Sequence, residues 1–320
     1  MKKIVALNLK EIKYSGDSIG DDVFIEIRLA DQIFKLDQKI KHGADTKINI
    51  EIAYFETKEN LLELPIYIKI TEDDVLFDDV GEIKGIVKIN LSEPLPQNQV
   101  FKVKVSESKS SISRRTAFFQ ITLEIGGAIR YISDTDDQGW LIVILDNNGK
   151  EFSTPINLKV QLDHRDRNRE YFTVLEGTLK NTKASVLLKR DDSSRFSRIN
   201  PHKKQVNLTY SISKKTLKFG KKVYKTIDYS DAPWTKGVYN IEIPDNPHRG
   251  GWNYLNKAPH ATTWFRIAYL NENDRYVHTG ERSLGCITLI ESGRWEELYS
   301  VFISARKGDG FNIGTIEITD

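Results

Sequence analysis

The chain has 320 residues, with 47 basic and 45 acidic side chains and a formal net charge of +2. This balance argues against a dedicated nucleic-acid-binding protein, because such proteins usually carry a strongly basic domain or stripe. The length is typical of two or three domains. The single cysteine, Cys286, excludes an internal disulfide, a cysteine-rich zinc site and an iron–sulfur cluster. It is therefore either a small core residue or a reactive thiol.

The start of the sequence lacks the run of about 7–15 apolar residues that a secretory signal peptide requires. No segment approaches the roughly 20 apolar residues of a membrane-spanning helix. We therefore expect a protein that is made in soluble form. If it acts outside the cytoplasm, we expect export by a route that does not use a signal peptide.

Short β-rich segments dominate the first 126 residues. Most of them alternate apolar and polar side chains, which is typical of strands with one buried face. They are residues 23–29, 47–52, 65–70, 86–91, 100–105 and 118–123. We therefore predict a mainly β protein that begins with an antiparallel β-sandwich over residues 1–126. A β-rich connector or small module should follow over 127–205, including a strand at 140–145, and a second β-rich domain over 206–320.

Two acidic loops carry a resemblance to a known family. Gly-Asp-Asp before the strand of residues 23–27, together with the acidic run 72–74 and the segment 78–82, is similar to the loops of C2 domains. These are β-sandwiches that bind calcium and lipid. The resemblance implies a calcium site and membrane lipid contact, because hard cations prefer several oxygen ligands. The implied ligands are Asp22, Glu72, Asp74 and Asp78. The alternative is that these acids are solvated turn residues.

The final segment combines the only cysteine with a nearby histidine. His278 lies eight residues before Cys286, and Gly280 and Gly285 lie in the link, where glycine lets the backbone turn back. A thiol is a good nucleophile when a neighbouring imidazole takes its proton. Backbone N–H groups at Gly285 and Cys286 would stabilise an oxyanion. Acyl transfer through a thioester is thus one interpretation. The other is that Cys286, followed by Ile287, is a small buried hydrophobe.

A second resemblance rests on these residues. His278 followed by Ser283-x-Gly285-Cys286 resembles the active-site signature of the L,D-transpeptidases, the YkuD-type catalytic domain. The resemblance covers residues 206–320 and is closest to a compact variant found among type VI secretion effectors. It implies that Cys286 is the nucleophile and His278 the base. Ser283 would orient the histidine or line the site, and Gly285 would supply part of the oxyanion hole.

Two positions depart from the family pattern. Leu284 stands where many members have histidine, and Thr288 stands where members usually have arginine or asparagine. Substrate binding is therefore assigned to other side chains. These are Arg282, Arg266, Trp252 and Tyr254. The arginines would bind a peptide carboxylate, and the aromatic residues would line a groove, unless residues 248–254 are a plain surface loop.

The second resemblance implies an L,D-transpeptidase or L,D-carboxypeptidase that acts on peptidoglycan stem peptides and needs no cofactor for catalysis. It would act in the periplasm or cell wall, with secretion machinery and an immunity protein as implied partners and no nucleic acid. The first alternative is a non-catalytic protein that binds the cell wall or a membrane through a calcium- or lipid-responsive sandwich. A cysteine–histidine amidase is less favoured, because those enzymes usually place the cysteine before the histidine.

Overall fold

The structure, a computed structural model, describes residues 1–72, 79–107, 115–269 and 275–320. Most of these residues lie in β-strands, which confirms the predicted mainly β fold. The chain divides into two compact units. The first comprises Met1–Ala128 and Asp163–Arg165, and the second comprises Ile129–Leu162 and Asp166–Asp320. In the described ranges no helix is both long and apolar enough to cross a membrane.

The first unit is an antiparallel β-sandwich. Its strands are β1 (Lys2–Gly16), β2 (Asp22–Leu29), β3 (Gln32–Lys39), β4 (Asp45–Thr57), β5 (Leu61–Glu72), β6 (Asp79–Asn90), β7 (Gln97–Ser106) and β8 (Thr116–Gly126). Four of these strands have the order β4-β1-β8-β7 within a larger sheet, and the other four form a sheet of order β3-β2-β5-β6. Apolar side chains from both sheets, such as Leu9 of β1 and Ile25 of β2, form one core. The predicted N-terminal sandwich is therefore confirmed.

Short strands that mostly pair antiparallel follow, and most of their residues lie in the second unit. They are β9 (Ala128–Ile132), β10 (Trp140–Leu145), β11 (Glu151–Pro155), β12 (Lys159–Asp166), β13 (Arg169–Val174), β14 (Lys183–Leu187), β15 (Phe196–Ser197) and β16 (Lys203–Lys204). The strand predicted at 140–145 is confirmed as β10, which forms a hairpin with β11. β16 is the exception to antiparallel pairing, because it pairs in parallel with residues 305–306.

A closed barrel makes up most of the rest of this unit. Its described strands are β17 (Val206–Ser211), β18 (Thr216–Phe219), β19 (Lys222–Ile227), β20 (Gly237–Glu242), β21 (Phe265–Ile267), β22 (Arg275–Thr279), β23 (Ile287–Leu289) and β25 (Asn312–Thr319), with β24 (Ala305–Arg306) pairing outside it. Around the barrel the order is β17-β18-β19-β23-β22-β21-β20-β25. The β22–β23 and β17–β25 pairs are parallel, so their connections must cross from one end of the barrel to the other.

Two kinds of helix accompany the barrel. The α-helix α1 (Trp295–Phe302) packs against it, with the Phe302 ring centroid 5.2 Å from that of Phe265 on β21. Short 3-10 helices occupy Arg249–Tyr254 and Ser292–Arg294. The first of them belongs to the long connection between β20 and β21, which reaches the strands β21 and β22 and forms part of the site described next.

Candidate active site

The barrel places His278 on the strand next to β23, and the residue directly before β23 is Cys286. His278 lies on β22, and the parallel register pairs Val277 with Ile287 and His278 with Thr288. Cys286 is the residue directly before Ile287, and it is half-buried. His278 thus lies on β22 and Cys286 directly precedes the adjacent strand β23, although eight positions and a loop separate the two residues in the chain.

His278 is buried as a neutral imidazole with a defined tautomer. Its Nδ1 lies 2.8 Å from the carbonyl oxygen of Thr279, and because a carbonyl only accepts, Nδ1 carries the hydrogen. Nε2 is then the acceptor, and the Thr288 hydroxyl donates to it over 3.0 Å. Thr288 is thus a hydrogen-bond partner of Nε2.

Burial lowers the pKa of His278 to about 4, the Coulomb interaction with His248 acts in the same direction, and the hydrogen bond to Thr279 opposes them. The imidazole is therefore unprotonated at neutral pH and has a lone pair at Nε2. This is the state that a general base requires before it accepts a proton.

A stack of aromatic rings covers one face of the imidazole. The Trp264 indole lies parallel to the His278 ring at a centroid distance of 3.9 Å, and it also stacks on His248 at 4.6 Å. The indole Nε1 donates to the carbonyl of Ala261 over 3.1 Å, which fixes the indole plane. His248 in turn lies 3.1 Å from the carboxylate of Asp245. The connection between β20 and β21 thus covers the histidine and keeps water from it.

The loop before Cys286 is closed by Ser283. The Ser283 hydroxyl donates to the carbonyl of Cys286 over 2.7 Å and accepts the backbone N–H of Gly285 over 3.3 Å. Gly285 has a φ of 113°, a conformation that side-chain-bearing residues rarely adopt. The structure thus gives Ser283 partners in the loop rather than the histidine, and it engages the Gly285 N–H that the sequence assigned to an oxyanion hole.

The residues predicted to bind substrate fall into two groups. Arg282 and Tyr254 lie at the loop: the Arg282 carbonyl is 3.4 Å from the Thr288 hydroxyl, and the Tyr254 hydroxyl accepts the N–H of Glu281 over 3.0 Å. The Arg282 side chain is exposed.

The other two residues predicted to bind substrate lie on β21 and in the 3-10 helix of residues 249–254. Arg266 on β21 forms an ion pair with Glu242 of β20 at 3.3 Å. Trp252 is 57% exposed in its 3-10 helix, and the Arg249 guanidinium lies 5.8 Å from its ring centroid. Trp252 is thus available on the surface, whereas Arg266 already has a carboxylate partner.

The sequence assigned no role in the site to Trp264 or Arg275, and it indicated His248 only as part of a loop that could face the substrate. Trp264 stacks on His278, and His248 stacks on Trp264, because the fold brings the β20–β21 connection over β22, and no local pattern announces this. Arg275 of β22 donates to the carbonyl of Ala232, and its guanidinium lies beside the backbone of Gly285. For Thr288, the signal in the sequence was its position two residues after Cys286, which places both side chains on one face of a strand.

The predicted calcium ligands are partly described. Asp22 forms an ion pair with Lys39 at 3.0 Å, and Glu72 is buried at the end of β5, where its register partner on β6 is Asp79. Asp74 and Asp78 lie outside the described residues. Within the described ranges no group of three or more His, Cys, Asp or Glu side chains could hold a metal ion. Calcium binding stays a prediction.

Comparisons with known proteins give similarity to C2 domains. No protein-family model matches this chain. No curated protein matches it either. A single C2 domain of plant extended synaptotagmin 1 is 17% identical, with a TM-score of 0.23, over 38% of this chain and 92% of that one. A pair of C2 domains from extended synaptotagmin 2 is 10% identical, with a TM-score of 0.22, over 60% of this chain and 82% of that one.

A human GIVD cytosolic phospholipase A2 is also similar, at 10% identity and a TM-score of 0.24, over 59% of this chain and 31% of that one. C2 domains are thus among the solved structures to which this chain is similar. Likeness at these identities and TM-scores carries no argument about what the chain does. The sandwich of the first unit rests on its own strand pairings.

Proposed function

We propose that this protein is a cysteine-dependent acyltransferase whose nucleophile is Cys286 and whose base is His278. The observation that carries the proposal is the parallel pairing of β22 with β23, which holds the imidazole on the strand next to the thiol. The tautomer of His278 adds support, since its hydrogen is at Nδ1 and its lone pair is at Nε2. A half-buried thiol directly before the strand that pairs with that of a buried neutral imidazole supports the proposal of nucleophilic attack on a carbonyl.

The reaction proceeds in two acyl-transfer steps. The thiol proton passes to His278, and the sulfur attacks the substrate carbonyl to form a thioester, with release of the leaving amine. That amine takes the proton back from the imidazole. An incoming amine or a water molecule then attacks the thioester and regenerates the thiol, so a cross-link or exchange product forms with an amine and a carboxylic acid forms with water.

We propose peptidoglycan stem peptides as the substrate class. The support is the signature formed by His278, Ser283, Gly285 and Cys286, which resembles that of the L,D-transpeptidases. On this proposal the enzyme attacks the carbonyl of the third residue, an L-configured centre, and releases the terminal D-residue. It acts in the periplasm or cell wall, as an exported effector with an immunity protein as its partner. No metal or other cofactor takes part in the proposed chemistry.

The decisive experiment is mass spectrometry of purified muropeptides after incubation with the protein, with and without an added D-amino acid. We expect loss of the terminal D-residue or its exchange, and no conversion by Cys286→Ala or His278→Gln. His42→Gln is the matched control, because His42 is an exposed histidine of the first unit. Conversion by Cys286→Ala at the wild-type rate would overturn the proposal.

Thiol alkylation separates catalysis from the alternative of a non-catalytic binding protein. An activated thiol reacts rapidly with iodoacetamide at neutral pH, and a structural thiol reacts slowly. We expect His278→Gln to slow alkylation of Cys286 without unfolding the protein. Equal alkylation rates in the wild type and in His278→Gln would favour the binding protein.

A further inference from the structure

The hydroxyl of Thr288 is placed to hydrogen-bond with Nε2 of His278 in both protonation states of the imidazole. It lies 3.0 Å from Nε2 and 3.4 Å from the carbonyl oxygen of Arg282, and the Thr288 side chain is fully buried. A hydroxyl has one hydrogen to donate and lone pairs with which to accept. It can therefore donate to neutral Nε2, or accept from protonated Nε2 while its own hydrogen points to the Arg282 carbonyl.

We propose that Thr288 is the positioning residue of the base, a hydroxyl that reverses its hydrogen bond to Nε2 when His278 takes up a proton. The inference rests on the proposed function for its purpose, since only a base that changes protonation state needs such a partner. Its geometry is independent of any substrate. No atom is gained or lost at Thr288: the thiol S–H bond breaks, the Nε2–H bond forms, and the threonine keeps its hydrogen and turns it to Arg282.

The reversal of this hydrogen bond matters because His278 and Thr288 are buried away from water. A buried imidazolium without an acceptor for its Nε2–H would leave a charged donor unsatisfied, which is costly. Nδ1 is already committed to the Thr279 carbonyl over 2.8 Å. The Thr288 hydroxyl, 3.0 Å from Nε2, is placed to accept from it.

The rest of the side chain holds the hydroxyl in this orientation. A Cβ built on Gly280 would lie 3.4 Å from Cγ2 of Thr288, which places the methyl group against the backbone of that glycine. The strand register then sets the hydroxyl opposite the imidazole. Valine has nearly the same shape as threonine, so Thr288→Val removes the hydroxyl and retains the packing. Thr288→Ser retains the hydroxyl and removes the methyl group.

The test combines a spectroscopic signature with rescue. In the wild type at neutral pH, we expect nitrogen NMR of the His278 ring to report a hydrogen on Nδ1 and a hydrogen-bonded acceptor at Nε2. In Thr288→Val we expect Nε2 to shift toward the resonance of a free acceptor nitrogen, and Thr288→Ser to restore it. We expect alkylation of Cys286 by iodoacetamide to slow by about tenfold to a hundredfold in Thr288→Val, the effect of losing a hydrogen bond to a charged group.

The outcomes separate this inference from the proposed function. A hydrogen on Nε2 in the wild type, or alkylation of Thr288→Val at the wild-type rate, overturns the role of Thr288 even if muropeptides are converted. Absence of muropeptide conversion overturns the proposed substrate but leaves the nitrogen signature and the serine rescue as they are. If Thr288→Val does not fold, the wild-type nitrogen spectrum decides, because it needs no variant.

Discussion

The imidazole of His278 lies face to face with the indole of Trp264, with ring centroids 3.9 Å apart and an angle of 14° between the ring planes. Contact at this distance excludes water from one face of the imidazole. Burial is the largest cause of the lowered pKa of His278, which is about 4. The indole is therefore a part of the environment that keeps the base neutral at neutral pH.

Replacing Trp264 should raise the pKa of His278. In Trp264→Ala water reaches the imidazole, the protonated form is hydrated, and the pKa moves from about 4 toward the ordinary value of 6.5. We also expect a loss of stability of about 3 kcal/mol, at the lower end for removal of a tryptophan, because Trp264 is only half-buried. An NMR titration of the His278 ring measures the pKa, and urea unfolding measures the stability.

Trp252→Ala is the matched control for this prediction. Trp252 belongs to the same connection between β20 and β21 but is 57% exposed. Its removal should leave the pKa of His278 at its wild-type value. An unchanged His278 pKa in a folded Trp264→Ala protein would show that the indole does not control hydration of the base.

The conformation of Gly285 should make this position intolerant of alanine. A Cβ there would meet only ordinary contacts, at 3.8 Å from Ala232 and from Arg275, so space is not the obstacle. The φ of 113° is the obstacle, and we expect Gly285→Ala to cost about 1–3 kcal/mol of unfolding free energy. Gly293→Ala is the control, because nothing lies within 4 Å of its Cβ position and its stability should stay within about 0.5 kcal/mol of wild type. Equal losses in the two variants would argue against backbone strain before Cys286.

The sequence predicted the sandwich because most of its strands bury one face. The segment 65–70 alternates within β5, where Ile66, Ile68 and Ile70 are buried. β1 did not show this pattern, although it pairs with both β4 and β8. Its residues 4–7 are buried in succession, and register shifts after Leu7 and Leu9 interrupt the period of two. The helix α1 has only eight residues, too few for a sustained helical period.

The site was predictable only where its chemistry is local. Cys286 and His278 stand out because the cysteine is unique and the link between them contains glycines. The partners of the histidine come from elsewhere: Trp264 from the β20–β21 connection, and Thr288 from a neighbouring strand. Contacts across strands depend on register, and register is a property of the folded sheet that a single segment does not encode.

The calcium prediction can be tested on the whole protein by titration calorimetry. If the acidic loops bind calcium, we expect saturable heat with calcium and weaker heat with magnesium, because calcium accepts more oxygen ligands in flexible geometry. Asp22→Asn should weaken binding. Asp45→Asn is the control, because Asp45 is also a surface acid paired with a lysine, Lys13, at 2.8 Å. Absence of saturable heat at millimolar calcium would assign the acids to solvated turns.

Glu176 lies in a buried ionic cluster of the second unit. Arg306 contacts its carboxylate at 2.9 Å and His202 at 3.3 Å. Burial alone would raise the pKa of Glu176, but the hydrogen bond from His202 and the charge of Arg306 outweigh burial and lower it to about 2. The Glu176 carboxyl therefore releases its proton more readily in the folded protein than in the unfolded chain, where its pKa has the ordinary value of 4.5.

This difference fixes the sign of a pH dependence. A carboxylate with a lowered folded pKa contributes stability that is fully present above pH 4.5 and is lost as the pH falls toward 2. The full contribution is about 3 kcal/mol, of which about 2 kcal/mol is lost by pH 3. His278 lowers the stability in a higher pH range. Because its pKa is about 4 in the folded protein, protonation favours the unfolded chain once the pH falls below 6.5.

We therefore expect Glu176→Gln to flatten the fall in unfolding free energy between pH 5 and pH 3. Tryptophan fluorescence during urea unfolding measures this, since all five tryptophans lie in the second unit. Glu317→Gln is the control, because Glu317 is exposed on β25, and it should keep the wild-type slope. Glu176→Gln should also be less stable than the wild type at pH 7, because Arg306 is then buried without its carboxylate partner. A wild-type slope in Glu176→Gln would mean that the acid sensitivity of this unit resides in other carboxylates.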